Sequence, residues 1–252
     1  MKLLENKVAV ITGANSGVGA EAAKLFAEQG ASVVIGARRV EPLKEVEEAI
    51  KGNGGKVLAV QLDISSPESA ENLASAALEA FGKIDILVNN AGVSDNSFSG
   101  IASFDPAELQ RLLSINTMGT MNTIKAVIAH MGEGASIVNV DSIGGALGMA
   151  GAAYTASKAA ILGITKHIGL TYATRKIRCN AICPGGIITP MMTDIDYSKT
   201  DASVMGAIQS HTDGDIAPST PQDIAGVLLM LASDYSRPLT GQIIISDFGS
   251  SL

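Results

Sequence analysis

A tyrosine and a lysine, Tyr154 and Lys158, stand four residues apart in a helix-prone segment of this sequence. Residues at this spacing lie on the same face of a helix, so the phenol and the ammonium would be neighbours. A nearby ammonium stabilises the deprotonated phenol, which helps a tyrosine to exchange protons near neutral pH. Taken alone the pair is a weak signal, because a packed ring beside a solvated lysine is common on ordinary helices. Its meaning depends on the rest of the chain.

A glycine-rich segment at residues 12–19 lies between a predicted strand and a predicted helix. In that position the backbone N–H groups of a tight turn can approach a pyrophosphate at the helix N-terminus. The spacing is Gly-x-x-x-Gly-x-Gly, which departs from the common dinucleotide fingerprint and lacks the Gly-Lys-Ser/Thr ending of a nucleotide-triphosphatase loop. The segment therefore favours a dinucleotide over ATP or GTP, and glycines that serve only the turn are the alternative.

Two arginines, Arg38 and Arg39, follow the second predicted strand, where a dinucleotide-binding fold meets the adenosine ribose. An acidic residue at this place binds the ribose 2′-hydroxyl, whereas an arginine binds a 2′-phosphate. The sequence therefore favours NADP(H) over NAD(H). The alternative is a pair of solvated arginines at the start of a charged helix.

Short apolar runs alternate with longer helical patterns along the whole chain. The predicted strands are 8–11, 32–35, 57–62, 84–88, 136–140, 177–183 and 242–246, and the predicted helices are 21–29, 41–50, 67–81, 106–131, 152–173 and 221–233. This alternation is typical of an α/β fold with a parallel sheet covered by helices on both faces. With no linker or repeat in 252 residues, we predict one domain, in which the long irregular segment 187–219 is the substrate loop.

Composition and charge limit the classes of partner. The net charge of −7 argues against a nucleic acid or an anionic membrane surface, which require clustered positive charge. The N-terminal residues do not fit a secretory signal and no apolar run reaches the length of a membrane span, so we expect a cytoplasmic protein.

Cys179 and Cys183 lie on one predicted strand, about 13 Å apart and too distant for a disulfide, so we expect reduced core residues.

Four features stand in order along the chain: the 12–19 segment, Asn-Asn-Ala-Gly at 89–92, Ser142 after the fifth predicted strand, and Tyr154 with Lys158. This combination resembles the short-chain dehydrogenase/reductase family, and the resemblance covers essentially the whole chain. It implies a Rossmann-type, doubly wound parallel sheet of about seven strands. It also implies an NADP(H)-dependent oxidoreductase that interconverts a small-molecule ketone and a secondary alcohol, and a homodimer or homotetramer.

The resemblance assigns roles to individual residues. Tyr154 would exchange a proton with the substrate oxygen, Lys158 would support Tyr154 and bind the nicotinamide ribose, and Ser142 would hydrogen-bond the substrate oxygen. Asn116 would hold a water that links Lys158 to solvent. The expected cofactor contacts are Gly13, Asn15, Ser16, Gly17, Val18, Gly19, Arg38, Arg39, Asp63, Ile64, Asn90, Ala91, Gly92, Tyr154, Lys158, Pro184, Gly185, Ile187 and Thr189.

Some of these positions have a second interpretation, and two departures from the family pattern stand out. Considered alone, Asp63 equally fits a turn or a helix cap, and Asn116 fits a packing residue. Asp141 precedes Ser142 where the family usually has a small polar residue. The tail, residues 246–252, reads Ser-Asp-Phe-Gly-Ser-Ser-Leu where the family commonly has Asp-Gly-Gly.

The substrate is the least determined feature of the sequence. Residues 187–219 combine methionines with acidic side chains, namely Met191, Met192, Met205, Asp194, Asp196 and Asp201. Methionines suit an adaptable pocket for a hydroxysteroid, a bile acid or a small carbonyl compound, whereas the acidic residues suit an anionic carrier protein poorly. A 3-oxoacyl-carrier-protein reductase is nevertheless the alternative within the family.

Two other classes of protein are considered. A non-catalytic dinucleotide-binding sensor or scaffold would have the same fold, but it would be expected to lose the four candidate catalytic residues. A metal-dependent hydrolase is disfavoured because His130, His167 and His211 show no ligand spacing, and no metal site is predicted.

Overall fold

A computed structural model describes residues 2–95, 97–193, 195 and 197–252. Two acidic residues of the predicted substrate loop, Asp194 and Asp196, lie outside the described residues. The strands are β1 (Val8–Thr12), β2 (Ser32–Ala37), β3 (Lys56–Gln61), β4 (Ile84–Asn89), β5 (Met131–Val140), β6 (Arg178–Pro184) and β7 (Ile243–Ser246). The α-helices are α1 (Gly17–Glu28), α2 (Val40–Gly52), α3 (Pro67–Phe81), α4 (Pro106–Leu112), α5 (Gly119–Ile128), α6 (Ile143–Leu147), α7 (Ala152–Thr171), α8 (Pro190–Thr193), α9 (Ala202–Ser210) and α10 (Pro221–Ala232).

The strands form a single parallel sheet within the described residues, with the order β3-β2-β1-β4-β5-β6-β7. The chain moves outward in one direction from β1 to β3, and then returns to the centre and moves outward in the other direction. Such a reversal opens a crevice at the carboxyl ends of β1 and β4, where ligands bind in folds of this kind. The predicted Rossmann-type sheet is confirmed.

Helices cover both faces of the sheet and bury two apolar clusters. On one face α1, α2 and α10 pack on the sheet, with Phe26 and Leu228 fully buried. On the other face α3, α5 and α7 do so through residues such as Leu73, Val127 and Ile168. Each large apolar side chain buried in this way contributes about 1.5–3 kcal/mol. The two clusters hold the carboxyl edge of the sheet as a rigid frame for the loops above it.

The predicted helix 106–131 is divided in the structure. It consists of α4, a π-helical turn at Leu113–Met118 and α5, and it ends at Ile128. Met131 instead begins β5, which is longer than the predicted strand 136–140. In a π-helical turn each backbone hydrogen bond spans one residue more than in an α-helix. This small difference leaves little trace in the spacing of apolar residues. The long helix is therefore present from Pro106 to Ile128, but its π-helical turn and its earlier end were not predicted.

The segment 187–219 is less irregular than predicted, because it contains α8, a 3₁₀ turn at Tyr197–Lys199 and the nine-residue helix α9. Asp201 caps α9 by accepting hydrogen bonds from the N–H groups of Ser203 and Val204. None of the residues of α9 is buried. A helix without a buried face has no strong apolar pattern, which is why the sequence did not reveal it. That this segment binds the substrate stays a prediction.

The two cysteines, Cys179 and Cys183, are free and buried on β6, as predicted. Burial raises the pKa of each thiol to about 12. The thiols are therefore protonated at neutral pH and pack as small apolar groups.

Candidate active site

The glycine-rich segment after β1 is fitted against the segment after β4. Gly13 has a φ of +66°, and a Cβ there would lie 2.8 Å from the Cα of Ala91. A Cβ on Gly19 would lie 2.5 Å from the carbonyl oxygen of Gly13. Contacts this short exclude any side chain, so these glycines are required by close packing of the backbone. The backbone of the turn is consequently exposed to a ligand on its other side.

Hydrogen bonds connect the same two segments. The hydroxyl oxygen of Thr12 accepts from the N–H groups of Asn90, at 3.1 Å, and Ala91, at 3.0 Å. The side-chain amide of Asn90 donates to the carbonyls of Thr12 and Gly13. The side chain of Asn90 therefore shapes the glycine-rich turn. Thr12 is a site residue that the sequence analysis missed, although its place at the end of β1 was a usable signal.

The N-terminus of α1 continues the turn. Ser16 precedes the helix with an extended backbone, and its side chain makes no capping hydrogen bond to the part of the chain that the structure describes. Gly17 has a φ of +54°, and a Cβ there would lie 3.1 Å from the Cγ2 of Thr189. The first N–H groups of α1, including that of Val18, have no intrahelical acceptors and carry a partial positive charge. Thr189 lies directly against this turn, as the predicted cofactor contacts require.

Arg38 and Arg39 are exposed at the end of β2. With the amide of Asn15 oriented to satisfy its neighbours, its oxygen accepts from Nη2 of Arg39 at 2.7 Å and from Nε at 3.0 Å. The guanidinium of Arg39 is thus attached to the glycine-rich turn. Gln61 donates to the carbonyl of Arg38 at 3.3 Å, which connects the end of β2 to β3. The guanidinium of Arg39 therefore lies beside the glycine-rich turn, and a role of either arginine in holding the adenosine end of a cofactor stays a prediction.

Asp63 and Ile64 follow β3. Asp63 accepts from the N–H and hydroxyl of Ser65, and that hydroxyl, with a smaller contribution from the charge of Arg38, lowers the pKa of Asp63 against the opposing effect of burial. The carboxylate therefore forms a turn, as the second interpretation of this residue proposed. The side chain of Ile64 is buried in the core and packs against Gly119, and its carbonyl accepts from the side-chain amide of Asn122 at 3.0 Å.

Asn116 lies in the π-helical turn and is fully buried. Its Oδ1 accepts from the N–H of Val93 at 2.8 Å, and its Nδ2 donates to the carbonyl of Val93 at 3.0 Å and to Oγ of Ser157 at 3.1 Å. A Cβ on Gly92 would lie 3.2 Å from Oδ1 of Asn116 and 3.6 Å from Nζ of Lys158. Asn116 thus holds the segment after β4 beside Lys158, with the help of Ser157, which the sequence analysis missed.

Lys158 and Tyr154 occupy neighbouring turns of α7. Lys158 is 5% exposed, and its Nζ donates to the carbonyl of Val140 at 3.0 Å. The same nitrogen lies 5.8 Å from the centre of the half-buried Tyr154 ring. An ammonium has three N–H donors, and the bond to Val140 uses one of them. The predicted phenol–ammonium pair is therefore formed at the carboxyl edge of the sheet.

Ser142 caps the short helix α6, with its Oγ accepting from the N–H of Gly144 at 3.0 Å. A Cβ on Gly144 would lie 3.3 Å from Oγ of Ser142, 3.3 Å from Cδ1 of Tyr154 and 2.8 Å from Cβ of Ala150. Because Gly144 has no side chain, Ser142 and the Tyr154 ring can both pack closely around it. The sequence analysis missed Gly144, because a glycine in a five-residue helix has no distinctive spacing.

Asp141 lies between β5 and Ser142 and is 5% exposed. Its Oδ1 accepts from the N–H of Ser142 at 2.7 Å. Burial raises the pKa of Asp141 to about 7, against the opposing effects of the Lys158 ammonium and the Ser142 N–H. The sequence analysis noted this residue as a departure from the family pattern without giving it a role.

The remaining predicted contacts follow β6. A Cβ on Gly185 would lie 2.8 Å from Cβ of Asp247, so Gly185 allows the C-terminal tail to pack closely on the end of β6. Ile187 pairs with Ser219 through a single parallel bridge, and its carbonyl accepts from the hydroxyl of Thr189 at 3.3 Å. Pro184 is the buried last residue of β6. The segment thus begins at the sheet edge and passes over the glycine-rich turn.

Comparisons with known proteins agree with this arrangement. A family model described as enoyl-(acyl carrier protein) reductase matches residues 13–251. The 3beta-hydroxysteroid dehydrogenase 2 of Eggerthella lenta is 36% identical over 255 residues, which cover 99% of this chain and 96% of that protein. The 3-oxoacyl-[acyl-carrier-protein] reductase FabG of Thermotoga maritima is 34% identical over 249 residues, 98% of each chain. The crystal structure of a dehydrogenase/reductase from Sinorhizobium meliloti 1021 matches with a TM-score of 0.88 at 28% identity, over 99% of this chain and 96% of that chain.

The chain belongs to the short-chain dehydrogenase/reductase family. It is accordingly an enzyme, an oxidoreductase of the type that acts on CH–OH groups, and the family binds NAD(P), acts on small molecules and commonly forms oligomers. Across the described ranges no helix is long and apolar enough to cross a membrane. In the same part of the chain no three His, Cys, Asp or Glu side chains are grouped so that they could hold a metal ion.

Proposed function

We propose that this protein is an NADP(H)-dependent oxidoreductase that interconverts a ketone and a secondary alcohol, with Tyr154 as the acid/base. The observation that carries the proposal is the meeting of three side chains beside the glycine-rich turn. Ser142 and Tyr154 both contact the position of Gly144, and Nζ of Lys158 lies 5.8 Å from the Tyr154 ring. A substrate carbonyl oxygen would bind where the hydroxyl groups of Ser142 and Tyr154 can both donate to it.

The residues present fit a dinucleotide. The N–H groups of Gly13 and Ala14 donate to the carbonyl of Gly36, and the uncapped N-terminus of α1 that follows is where a pyrophosphate would bind. Arg39, attached to Asn15, and Arg38 would hold a 2′-phosphate. Residues 90–92, 184–185, 187 and 189 and the turn at Asp63 would line the rest of the cofactor. When bound, the nicotinamide would supply or accept the hydride.

The catalytic roles follow from the chemistry of the side chains. In reduction Tyr154 gives its phenolic proton to the substrate oxygen, and in oxidation it takes that proton back. The ammonium of Lys158 stabilises the phenolate that forms, and the hydroxyl of Ser142 donates to the oxygen as negative charge develops there. Asn116 holds the backbone beside Lys158, where a water would connect the ammonium with solvent.

The test of the acid/base role is turnover of NADPH with a panel of ketones, followed by the absorbance of the reduced nicotinamide. We expect Tyr154→Phe to lower kcat by about 10²- to 10⁴-fold, because general acid–base catalysis contributes a factor of that order. Tyr172→Phe is the matched control, since this ring packs beside Arg175 at the far end of α7. Equal rates for wild type and Tyr154→Phe would refute the assignment. Cofactor binding without turnover of any substrate would favour the sensor or scaffold.

The cofactor preference has its own test. We expect Arg38→Ala and Arg39→Ala to raise the KM for NADPH by at least about 10-fold and to change the KM for NADH little. The reason is that each charged hydrogen bond to a phosphate contributes about 1.5–3 kcal/mol. Glu41→Gln, a nearby change at the start of α2, serves as the control. Equal effects of the arginine changes on both cofactors would count against a 2′-phosphate contact.

For the substrate, we propose a hydroxysteroid, a bile acid or a small carbonyl compound. Three apolar side chains on the segments after β5 and β6 are exposed, at 49% for Leu147, 54% for Ile188 and 47% for Met191. Exposed apolar groups at the mouth of a site suit a flat apolar ligand. The Eggerthella lenta relative, named a 3beta-hydroxysteroid dehydrogenase, supports this choice. A screen of hydroxysteroids and small ketones with both cofactors tests it.

The alternative substrate is a 3-oxoacyl group on a carrier protein, and the Thermotoga maritima relative supports that alternative. The acidic side chains of residues 187–219, among them Asp201 and Asp213, would repel an anionic carrier. An acetoacetyl thioester presented on a carrier protein and as a small thiol ester separates the two cases. Preference for the carrier-bound form over every steroid tested would overturn the hydroxysteroid proposal.

A further inference from the structure

Asp141 is an ionisable side chain that the proposed mechanism leaves without a role. It is 5% exposed and joins β5 to the cap of α6, and its N–H donates to the carbonyl of Ile182 at 2.8 Å. Oδ1 accepts from the N–H of Ser142, whereas Oδ2 is buried and has no hydrogen-bond partner among the described residues. A buried carboxylate oxygen without a partner is costly, so its retention beside the catalytic serine calls for a reason.

The carboxylate of Asp141 and the side chain of Lys158 both approach Gly145. A Cβ on Gly145 of α6 would lie 2.5 Å from Oδ1 of Asp141 and 2.8 Å from Cβ of Lys158, so these two atoms approach the same point from the end of β5 and from α7. The ammonium of Lys158 is anchored to Val140, the residue immediately before Asp141. Within the described residues, the ionisable groups that interact electrostatically with Asp141 are Lys158 from α7 and Cys183 from β6. The thiol of Cys183 is neutral near pH 7, so Lys158 is the charge that Asp141 meets.

We propose that Asp141 is a positioning residue that acts through Lys158, and that its protonation state sets how much positive charge the ammonium presents to Tyr154. The inference rests on the proposed acid/base role of Tyr154. With Asp141 neutral, the ammonium acts on the phenol undiminished. With Asp141 ionised, the carboxylate offsets part of the ammonium charge and opposes formation of the phenolate. The raised pKa of Asp141 places this change near neutral pH.

The first test is the pH dependence of alcohol oxidation, which requires the phenolate. In Asp141→Asn the amide keeps the acceptor for the Ser142 N–H but carries no charge. With each rate profile scaled to its own plateau, we expect the pH of half-maximal kcat to fall by about one unit. Removal of the carboxylate ends its interaction with nearby charges, and in a medium of intermediate polarity such an interaction shifts a pKa by about one unit. Asp95→Asn is the matched control, since Asp95 is also buried with one unpartnered oxygen, and we expect it to keep the wild-type midpoint.

A purely structural role for Asp141 would lower kcat or stability without moving the midpoint, and that outcome would overturn the proposal. Asp141→Glu provides a second variant, which restores the charge and should return the midpoint toward that of the wild type.

The second test does not depend on activity. The carboxyl carbon of Asp141 is followed by NMR during a pH titration of the cofactor-free enzyme, and Asp141→Asn identifies its signal. We expect the midpoint to rise in both Lys158→Met and Lys158→Gln, because the ammonium that favours the carboxylate is removed, and to stay within about 0.5 unit in Lys158→Arg. The signal of Asp95 is the internal control. An unchanged Asp141 midpoint in the neutral variants would overturn the inference.

The two proposals fail in different ways. If Tyr154→Phe turns over as fast as the wild type, the acid/base assignment fails even when the NMR midpoint of Asp141 depends on Lys158. If Tyr154→Phe is inactive but the rate profile of Asp141→Asn coincides with that of the wild type, the role of Asp141 fails and the acid/base assignment stands.

Discussion

Asp141 also links the site to the stability of the fold, because its carboxyl holds a proton more tightly in the native protein than in the unfolded chain. The pKa is raised from 3.8 to about 7 by burial. Below about pH 4 the group is protonated in both states and its contribution to stability is fully present. Between about pH 4 and pH 7 only the unfolded chain ionises, so stability falls as pH rises, and above pH 7 the loss is complete.

We therefore expect Asp141→Asn to flatten the pH dependence of stability. Between pH 5 and pH 8 the wild type should lose about 2–3 kcal/mol of unfolding free energy through this group, and the variant should lack that part of the loss. Chemical denaturation at several pH values measures the difference. Because the amide itself alters stability at every pH, the slope and not the absolute value is compared. Parallel curves for the two proteins would show that Asp141 ionises normally.

Gly144 is a second residue whose effect can be predicted from distances. In Gly144→Ala the new methyl group would lie 2.8 Å from Cβ of Ala150 and 3.3 Å from Tyr154 and Ser142, so the ring or the cap must shift. We expect kcat to fall by about 10- to 100-fold, because misplacement of a reacting group by about 1 Å has an effect of that size.

Fluorescence titration of NADPH binding and steady-state kinetics check this expectation, and the affinity for the cofactor should change little. Gly163→Ala is the control, since a Cβ at this position of α7 would meet no atom within 4 Å. An unchanged kcat in Gly144→Ala would mean that Tyr154 and Ser142 need not face each other closely.

At the scale of elements, α9 is attached to the loop that follows β4. Asp201 donates its N–H to the carbonyl of Ser97 at 3.0 Å, and its Oδ2 accepts from the N–H of Gly100 and the hydroxyl of Ser103, each at 3.3 Å. The same carboxylate caps α9. Hydrogen bonds from the Ser203 hydroxyl and from neighbouring N–H groups lower the pKa of Asp201 to about 2. The connection is therefore present throughout the neutral pH range.

We expect Asp201→Ala to release α9 from this loop, and the KM for the substrate to rise by about 3- to 10-fold while the KM for NADPH stays unchanged. Each lost hydrogen bond to a charged group at an exposed site is worth a small factor in this range. Hydrogen exchange should become faster in 100–103 and 202–210. Asp215→Ala, in the same segment, is the control. Faster exchange with no change in KM would show that α9 does not contribute to substrate binding.

The succession of strands and helices along the chain and most of their bounds were predictable from the sequence, because short apolar runs alternate with longer helical patterns. The doubly wound sheet was expected only from the resemblance to a known family. The π-helical turn was not, since hydrogen bonds to Val93 and Ser157 hold Asn116 there and both partners are distant along the chain. The five-residue helix α6 was also missed, because its capping by Ser142 depends on the position of β5. Elements determined by long-range contacts leave no local pattern.

In the candidate site, too, some features follow from local sequence patterns and others from long-range contacts. The candidate catalytic set could be named because its spacing resembles a known family, and in the structure Tyr154 lies near both Ser142 and Lys158. By contrast, the attachment of Arg39 to Asn15 depends on the proximity of two segments that the sequence separates. The interaction of Asp141 with Lys158 likewise appears only when α6 and α7 pack together.

At the scale of the whole molecule, apolar side chains on the outer helices are exposed, and we predict that copies of the chain associate through them. Met118 at the end of the π-helical turn is 53% exposed, Met121 on α5 is 44% exposed, and Leu170 on α7 is 78% exposed. Members of the family commonly form oligomers. Association through α5 and α7 would cover these side chains and would also brace the helix that carries Tyr154 and Lys158.

A charge placed on this surface should therefore separate the copies. We expect Met121→Glu to reduce the sedimentation coefficient of the protein to that of a smaller species, because an unpaired carboxylate buried in an interface costs several kcal/mol. Ile101→Glu is the matched control, since Ile101 is 80% exposed but lies outside α5 and α7, and it should sediment as the wild type does. Circular dichroism establishes that both variants are folded. If Met121→Glu sediments with the wild type while Ile101→Glu dissociates, the contact lies on the face that carries Ile101, and α7 is not braced by a neighbouring copy.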